Sequence, residues 1–551
     1  MMAERRASDV FVECLEAEGV QYVFGIPGEE TLDLNESLSR SSVRFVPVRH
    51  EQAAAYMADM YGRLTGRAGV CLGTLGPGAL NLVTAVADAF LDRAPLVALT
   101  GQGDLERMHK ESHQYIDLVD VMRPITKWNA SLTSPRIIPE VVRKAFKVAE
   151  AQKPGSTHIE LPEDVMGAML DAGPLPVRRT LRRPEPSAPE LLKGAETIRR
   201  ALRPVVLAGN GVARVGAAPA LREFARSTGI PVAETFMGKG LIDDDDPMAL
   251  GTVGLQDRDY ALAGFEQADV VITVGYDLVE HAPSHWNPHA DKTIVCIDTV
   301  SPEVDEHFMT EVDLIGDMYH VLLRLAEECR DVPFTVPQDS RRLTELVRGR
   351  FEAGRDDDSF PAQPPRVLWE LRAALARDDI LISDVGLHKL WIGRMFPAYE
   401  PNTVLIANGL AGMGFALPCA IAAKLVHPER NVVTVAGDGG FLMNCQELET
   451  AVRLGTPVVN VVWENCQYGS IVWKQDKRFG HHFGVDFTNP DFVALAESFG
   501  CAGLRCESAD DIGRHLEHAL TLERPSLIVV PIDYSVDVAL SEQLGAETVA
   551  T

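Results

Sequence analysis

Short runs of apolar and β-branched residues recur along the chain, and stretches with helical periodicity separate them. Several runs are apolar at every position, as in strands of a parallel sheet that helices cover on both faces. The alternation of strand and helix predicts an α/β fold made of doubly wound parallel sheets. The runs on which this prediction rests are Tyr22–Ile26, Val43–Val48, Gly69–Leu72, Leu96–Thr100, Pro204–Ala208, Val270–Gly275, Thr293–Ile297, Val432–Ala436 and Val458–Trp463.

Two segments rich in proline and charge interrupt this pattern, residues 171–190 and residues 331–365, and the second also contains a helical stretch. Such segments are typical of exposed linkers. A chain of 551 residues is expected to form about three domains. We therefore predict an N-terminal domain over residues 1–175, a middle domain over residues 190–330 and a C-terminal domain over residues 365–551.

Charge and composition exclude several classes of partner. The formal net charge is -27, from 52 basic and 79 acidic side chains, and such a surface repels nucleic acid and anionic membranes. No apolar run approaches the ~18 residues that a membrane span requires. The first 20 residues read as a charged amphipathic helix rather than a secretory signal. Nine scattered cysteines without a CxxC pair fit a reducing compartment, so we expect a cytoplasmic protein.

The most informative segment runs from Asn431 to Tyr468. An apolar strand ends in Gly437-Asp438-Gly439-Gly440, a helix follows, and a second apolar strand ends at Glu464-Asn465. Because parallel strands end at the same carboxyl edge of a sheet, Asp438 and Asn465 are expected to meet although 27 residues separate them.

This arrangement is suited to a metal-bridged diphosphate. Glycines let backbone N–H groups approach phosphate oxygens closely, and a helix amino terminus favours an anion. Asp438 and Asn465 offer hard oxygen ligands to Mg2+, which completes its coordination with water and substrate phosphates. The simpler interpretation is a plain turn in a flavodoxin-like domain.

A carboxylate in the first domain forms a second candidate site. Glu51 follows the predicted strand Val43–Val48 and opens a helix with alanines at positions 53, 54, 55 and 58. A carboxyl group buried in such a tight, apolar place can hold a proton near neutral pH. The alternative is a helix-start carboxylate that only complements the helix dipole.

The segment Asn408–Pro418 places three glycines around Met413, which suggests a backbone pressed against a ligand. The alternative is a strand-to-helix turn in which the methionine fills the core. In the middle domain, Gly209-Asn210-Gly211 follows a strand and Gly216 comes soon after, but glycine loops alone are a weak nucleotide signal.

Together these motifs resemble those of thiamine-diphosphate enzymes, in which GDG is followed some 25–30 residues later by Asn and a separate domain carries an HE segment like His50-Glu51. The resemblance implies that the side chains of Asp438 and Asn465 and the carbonyl of Gln467 hold the metal. It implies that Glu51 hydrogen-bonds the aminopyrimidine ring. The other cofactor contacts that it implies are Gly28, Asn81, Gly386, His388, Ala411, Gly412, Met413, Gly437, Gly439, Gly440, Tyr468 and Gly469.

Within that group, nearly the whole chain resembles the acetolactate synthases, and the first-domain segments that carry this likeness are Phe24–Gly28, Gly73–Asn81 and Ser112–Lys127. In the middle domain, Val270–Pro288 resembles the catabolic, flavin-free enzymes more than the flavin-containing biosynthetic ones. In that family Met413 would prop the cofactor in its bent form, the Ala411 carbonyl would accept a bond from the 4'-amino group, and Gln114 would lie near the reacting carbons. A plain surface glutamine is the alternative for Gln114.

The resemblance implies a carboligase that decarboxylates pyruvate and adds the two-carbon unit to a second 2-keto acid, giving 2-acetolactate. Its implied cofactors are thiamine diphosphate and Mg2+, and FAD in the middle domain is the less favoured option. A homodimer or homotetramer is expected, with Glu51 and Asp438 meeting across the subunit interface. The alternatives are another 2-keto-acid decarboxylase, an aldehyde lyase or a carboligase with a different acceptor, and a non-catalytic nucleotide-binding or regulatory protein is disfavoured.

The chain departs from the family pattern in two places. Glu29-Glu30 replaces the Ala-Lys of catabolic enzymes after the Pro-Gly turn. Positions that contact substrate in that family fall on Ser470 and Lys474 here, with a tryptophan at Trp473. These changes leave the cofactor motifs intact and put the choice of acceptor in doubt.

Overall fold

A computed structural model describes residues 5–177, 184–254, 262–332 and 334–535. Within these residues the strands form three six-stranded sheets, each parallel throughout, and one short antiparallel pair, and helices cover the three sheets. The predicted fold class of three doubly wound α/β domains is therefore confirmed. Residues 178–183 of the first predicted linker and Pro333 of the second lie outside the described residues.

The first sheet has the spatial strand order β3-β2-β4-β5-β7-β6. Its strands, with the short antiparallel pair β1 and β8, are β1 (Arg5–Arg6), β2 (Tyr22–Gly25), β3 (Arg44–Pro47), β4 (Gly69–Gly73), β5 (Leu96–Gln102), β6 (Trp128–Ser131), β7 (Ser156–Pro162) and β8 (Met169–Leu170). The helices of this domain are α1 (Ala7–Ala17), α2 (Leu32–Leu38), α3 (Glu51–Thr65), α4 (Pro77–Leu91), α5 (Leu118–Met122), α6 (Ile138–Glu150) and α7 (Glu163–Gly167).

The second sheet has the order β11-β10-β9-β12-β13-β14, with its topological switch point between β9 and β12. Its strands are β9 (Pro204–Ala208), β10 (Val232–Thr235), β11 (Ala249–Val253), β12 (Val270–Val274), β13 (Thr293–Asp298) and β14 (Val312–Ile315). The helices here are α8 (Ala188–Arg200), α9 (Gly211–Arg214), α10 (Ala218–Thr228), α11 (Leu262–Gln267), α12 (Pro283–Trp286) and α13 (Met318–Glu328), and α14 (Gln338–Ala353) lies in the second predicted linker.

The third sheet has the order β16-β15-β17-β18-β20-β19. Its strands are β15 (Ile380–Ser383), β16 (Val404–Ile406), β17 (Val432–Gly437), β18 (Val459–Glu464), β19 (Ala502–Arg505) and β20 (Ser526–Pro531). The helices are α15 (Pro364–Ala374), α16 (Leu387–Met395), α17 (Ala416–Val426), α18 (Asp438–Phe441), α19 (Glu447–Leu454), α20 (Gly469–Phe479), α21 (Phe492–Ser498) and α22 (Asp510–Leu520).

Helix α3 links the first domain to the third. His50 caps its amino end by accepting the Gln52 N–H at 3.1 Å, and Gly66 ends it in the left-handed conformation. Ala54, Ala55 and Ala58 are fully buried and share one apolar core with α17, because small side chains let the two helices approach closely. The elements that follow strand ends in both domains are thus held in one rigid unit.

No helix in the described ranges combines the length and the apolar character that crossing a bilayer demands.

Candidate functional site

The carboxyl edge of the third sheet brings the two residues with predicted metal-ligand side chains together. Asp438 begins α18 directly after β17, and Asn465 follows the neighbouring strand β18. The Asp438 side chain is almost fully buried, and its carboxylate accepts the backbone N–H groups of Asn465 at 3.0 Å and Cys466 at 2.6 Å. These bonds hold the loop after β18 against Asp438, which itself follows β17, so one carboxylate positions the loops after both strands.

The loop that contains Gln467 is held in an unusual conformation. Cys466 has a φ of 58°, a left-handed value that non-glycine residues adopt mainly where the surrounding structure enforces it. A Cβ at Gly439 would lie 2.8 Å from the ring of Tyr468, which packs at a tilt against Phe487 with ring centroids 4.9 Å apart. The absence of a side chain at position 439 therefore lets this loop close over the Gly437–Gly440 turn.

Asn489 belongs to this site although the motifs did not reveal it. Its side-chain amide donates to Asp438 Oδ2 at 2.9 Å and contacts Cys466 Sγ at 3.4 Å. Asn489 is 51 residues from Asp438 in an irregular segment, so no periodicity or strand end marks it in the sequence.

Gly386 and His388 form a cradle beside Gly437. A Cβ at Gly386 would lie 2.6 Å from the imidazole of His388, and one at Gly437 would lie 3.6 Å from it. Burial lowers the pKa of His388 to about 4, so the ring is neutral at physiological pH. Its Nε2 is buried and has no hydrogen-bond partner within the described part of the chain. A buried nitrogen in this state is suited to a polar ligand atom.

Asp384 shapes the loop around Met413 and was also missed. Its carboxylate accepts the N–H groups of Val385 at 2.7 Å, Gly414 at 3.0 Å and Ala416 at 3.1 Å. Burial raises its pKa, and these backbone bonds oppose that shift. Ala411, in the same loop, has a φ of 58°. Asp384 follows β15 directly, so its position after a strand was a usable signal.

A cavity of about 580 Å³ opens at this edge and gathers most of the predicted cofactor residues. Lys389, Trp473 and Lys474 also line it, together with Phe236 from the middle domain. The predicted residues in its wall are Gly386, His388, Met413, Gly437, Asp438, Gly439, Gly440, Asn465, Gln467, Tyr468 and Gly469. Among the described residues that line this cavity, none comes from the first domain.

The first domain holds the remaining predicted residues in a separate cluster. Glu51 is 7% exposed at the start of α3, and its Oε2 accepts a hydrogen bond from the Asn81 amide at 3.0 Å. A Cβ at Gly78 would lie 3.3 Å from Glu51 Oε1, so the first turn of α4 presses against the carboxylate. The structure therefore brings buried Glu51 and exposed Asn81 together as a hydrogen-bonded pair.

Gly28 and Gln114 lie around the same turn. A Cβ at Gly28 would come within 2.2 Å of Thr74 Oγ1, and that hydroxyl donates to Glu30 Oε2 at 2.9 Å. The backbone of exposed Gln114 has a φ of 58° and packs against Gly76. Glu30, one of the departures from the family pattern, therefore lies beside the glycine turns of this cluster.

Hydrogen bonds and packing connect the Glu51 cluster of the first domain to the third domain, although Glu51 does not line the third-domain cavity. Glu447 Oε1 in α19 accepts the N–H groups of Arg49 at 3.0 Å and His50 at 3.1 Å. A Cβ at Gly412 would lie 2.2 Å from the hydroxyl of Tyr56 in α3. The same helix that begins with Glu51 thus supports the loop of Ala411, Gly412 and Met413 from behind.

Three family models match the chain in the order of its sheets. The N-terminal TPP binding domain of thiamine pyrophosphate enzymes matches residues 5–121, their central domain matches residues 191–325, and their C-terminal TPP binding domain matches residues 384–530. These ranges include both clusters of predicted site residues.

Curated relatives are similar over almost the full chain. An acetolactate synthase of Bacillus subtilis (strain 168) is 36% identical over 99% of this chain and 96% of its own length. A catabolic acetolactate synthase of Raoultella terrigena is 34% identical over 98% and 97%, respectively. A probable acetolactate synthase large subunit of Methanocaldococcus jannaschii is 36% identical over 96% and 92%.

Proposed function

This chain belongs to the acetolactate synthase family of thiamine-diphosphate enzymes, and from that premise we propose that it converts two molecules of pyruvate into 2-acetolactate and CO2. One carbon–carbon bond of the first pyruvate breaks to release CO2. One carbon–carbon bond then forms to the keto carbon of the second pyruvate and one proton is taken up from solvent, so atoms and charge balance without an external oxidant or reductant.

The cavity at the carboxyl edge of the third sheet carries this proposal. Its glycine lining, the neutral His388 with an unpartnered Nε2, and buried Asp438 beside half-buried Asn465 fit a bulky cofactor that ends in a diphosphate. Thiamine diphosphate supplies a carbanion centre that adds to a keto carbon and accepts the electrons released with CO2.

Mg2+ would be held by Asp438, Asn465 and the carbonyl of Gln467. Among the described residues no group of three His, Cys, Asp or Glu side chains forms a metal site. The proposed ligand set has a single carboxylate, and this suits a cation that takes few protein ligands and binds phosphate oxygens. Asn489 holds Asp438 from the side and would fix the orientation of its carboxylate.

Glu51 is proposed to exchange a proton with the aminopyrimidine ring. Asn81 donates to its Oε2, which leaves Oε1 at the Gly78 turn for the cofactor. Met413 and the strained Ala411 would support the bent cofactor, and Gly28 and Gln114 would complete the first-domain wall. Gly412 would press the same loop against Tyr56.

We further propose a homodimer or homotetramer in which the first domain of one subunit faces the third domain of another. The support is that Glu51 and the third-domain cavity share no wall within one chain, although both sets of residues serve one cofactor in the family. An interface that joins the two would complete the site.

Complementation between subunits tests this arrangement. Glu51→Gln and Asp438→Asn should each be inactive alone, whereas hybrids of the two should contain one intact site per dimer. Random mixing should restore about one quarter of the wild-type sites. Purified hybrids without activity would overturn the shared site.

The reaction itself is tested with purified protein, pyruvate, thiamine diphosphate and Mg2+, with acetolactate measured as acetoin after acid treatment. Glu51→Gln should abolish most of the product, and Glu196→Gln, on exposed α8, is the matched control. Absence of acetolactate while the cofactor binds would overturn the carboligase and leave the cofactor assignment standing.

We propose that the middle domain binds no flavin. Glu280 fills the space beside the loop after β9, since both its carboxylate oxygens accept the Asn210 N–H at 3.1–3.2 Å. Gly209 and Gly211 pack directly on Gly275, where a Cβ on either would lie 2.5 Å from the Gly275 carbonyl oxygen. The crevice at the switch point is therefore occupied by protein. A flavin absorbance spectrum in the purified protein would contradict this.

A further inference from the structure

A second large cleft lies at the junction of the three domains, away from the cofactor cavity. Its volume is about 790 Å³, and it shares no described lining residue with the cavity that contains Asp438. In the first domain it is lined by residues that precede β4, β5 and β7, whereas Glu51 and Gly76 follow strands. The cleft is therefore at the opposite edge of the first sheet from Glu51.

Six of the described side chains that line this cleft are cationic, in a chain whose formal net charge is -27. Carboxylates pair with five of them: Asp59 and Asp92 with Arg63, Glu150 with Arg67, Glu18 with Arg143, and Asp277 with Arg93 and Arg214. Among the described residues that line it, the only carboxylate is Glu150. A concave, low-dielectric surface of one sign concentrates ligands of the opposite sign. The cationic side chains in the wall are Arg63, Arg67, Arg93, Arg143, Lys147 and Arg214.

Carboxylates behind the wall hold several of these side chains in place. Arg214 Nη2 donates to Asp277 Oδ2 at 2.9 Å, and Arg93 Nε lies 3.8 Å from Asp277 Oδ1. The Asp277 side chain is only 3% exposed, so it lies beneath the surface and not in the cleft. A guanidinium has five N–H donors, and Arg214 Nε and Nη1 have no partner in the described part of the chain. Arg214 is thus held in place with two buried donors still unpaired.

We propose that this cleft binds a polyphosphate anion, either a nucleoside di- or triphosphate or inorganic pyrophosphate. Several guanidinium groups on facing walls match the bidentate geometry of phosphate oxygens better than a single charge would. Helix α9 of the middle domain contributes Ala213 and Arg214 to the lining of the cleft.

Occupancy of the cleft is linked to the cofactor loop through Arg63. Its Nη2 pairs with Asp92 Oδ2 at 2.6 Å, and Asp92 in turn accepts the N–H of Asn408 at 3.2 Å and that of Gly409. Those two residues lead into the segment of Ala411 and Met413. A polyphosphate ligand that shifts Arg63 would therefore change the affinity for thiamine diphosphate, and the cofactor would change the ligand's affinity reciprocally.

Calorimetric titration tests the site in enzyme saturated with thiamine diphosphate and Mg2+, which closes the diphosphate pocket to the probe. Inorganic pyrophosphate, ADP and ATP are titrated separately, and the probe with the lowest Kd shows whether the site prefers a nucleotide or free pyrophosphate. Arg214→Gln and Lys147→Glu should each weaken binding at least about tenfold, because each loses a charge-assisted contact. Lys147 is exposed on α6, so its variant preserves the fold.

Arg200→Gln is the matched control, since that side chain is exposed on α8 and does not line the cleft. Its affinities should equal those of the wild type. No binding of any of the three probes at millimolar concentration, or unchanged binding in both cleft variants, would overturn the proposal. The outcome is independent of turnover, because binding is measured without pyruvate.

Discussion

Gly412→Ala is expected to weaken cofactor binding by crowding Tyr56. The added methyl group would lie 2.2 Å from the tyrosine hydroxyl, far inside van der Waals contact. Tyr56 is fully buried and packs edge-on against Phe415 at 5.4 Å, so it cannot swing away. Gly412 itself is not in the left-handed region, so alanine can adopt its backbone and the effect comes from contact alone.

The expected size follows from this overlap. Overpacking of a closed site costs about 1–3 kcal/mol. This strain would destabilise the conformation in which the loop of Gly412 supports the cofactor, and it would therefore reduce the binding free energy by the same amount. Since about 1.4 kcal/mol is a factor of ten, the Kd for thiamine diphosphate should rise about tenfold to one hundredfold. Quenching of tryptophan fluorescence during titration at fixed Mg2+ measures it.

Tyr56→Phe provides an internal rescue. The next tyrosine atom, Cζ, is 3.5 Å from the added methyl group, which is ordinary contact, and Oη has no partner within the described residues. The single variant should therefore bind the cofactor normally, and the double variant should recover to within about threefold of wild type. A double variant as weak as Gly412→Ala, or a Gly412→Ala protein that binds normally, would refute the steric explanation.

Three further outcomes are expected. Glu51→Gln should lower kcat about 10²- to 10⁴-fold with thiamine diphosphate Kd little changed, and a smaller loss in steady-state assays would exclude a proton-transfer role. Lys474 is an exposed cation in the cavity wall, so Lys474→Gln should raise the KM for pyruvate about tenfold and leave the KM for an uncharged aldehyde acceptor unchanged. Equal effects on both acceptors would show that Lys474 does not bind the carboxylate. Burial raises the pKa of Glu447 from 4.5 to about 7. The folded state therefore holds this proton more tightly than the unfolded chain, and the resulting contribution to the free energy of unfolding is full below pH 4.5 and is lost as the pH rises to about 7. Glu447→Gln should flatten that decline in a Tm series, and parallel curves for the two proteins would show that another group causes it.

The strands and the two motif-bearing turns were readable from local pattern. Val432–Gly437 and Val459–Glu464 are largely buried, and Asp438 and Asn465 follow them, so the meeting of the two residues follows from parallel topology. Glu51 at the start of α3 was likewise marked by the strand before it and by the alanines after it. These features depend on residues close in sequence, whose spacing alone sets which face or edge they occupy.

Contacts between distant segments were decided only by the folded chain. Asn489 on Asp438, Tyr56 behind Gly412 and Glu280 in the middle-domain crevice join residues that no periodicity relates. The basic cleft exists because arginines of separate elements converge where three domains meet. Sequence alone determined the elements and their chemical ends, because hydrophobic period and turn chemistry are local. Tertiary structure decided which side chains share a pocket, because packing between elements sets distances that no local pattern encodes.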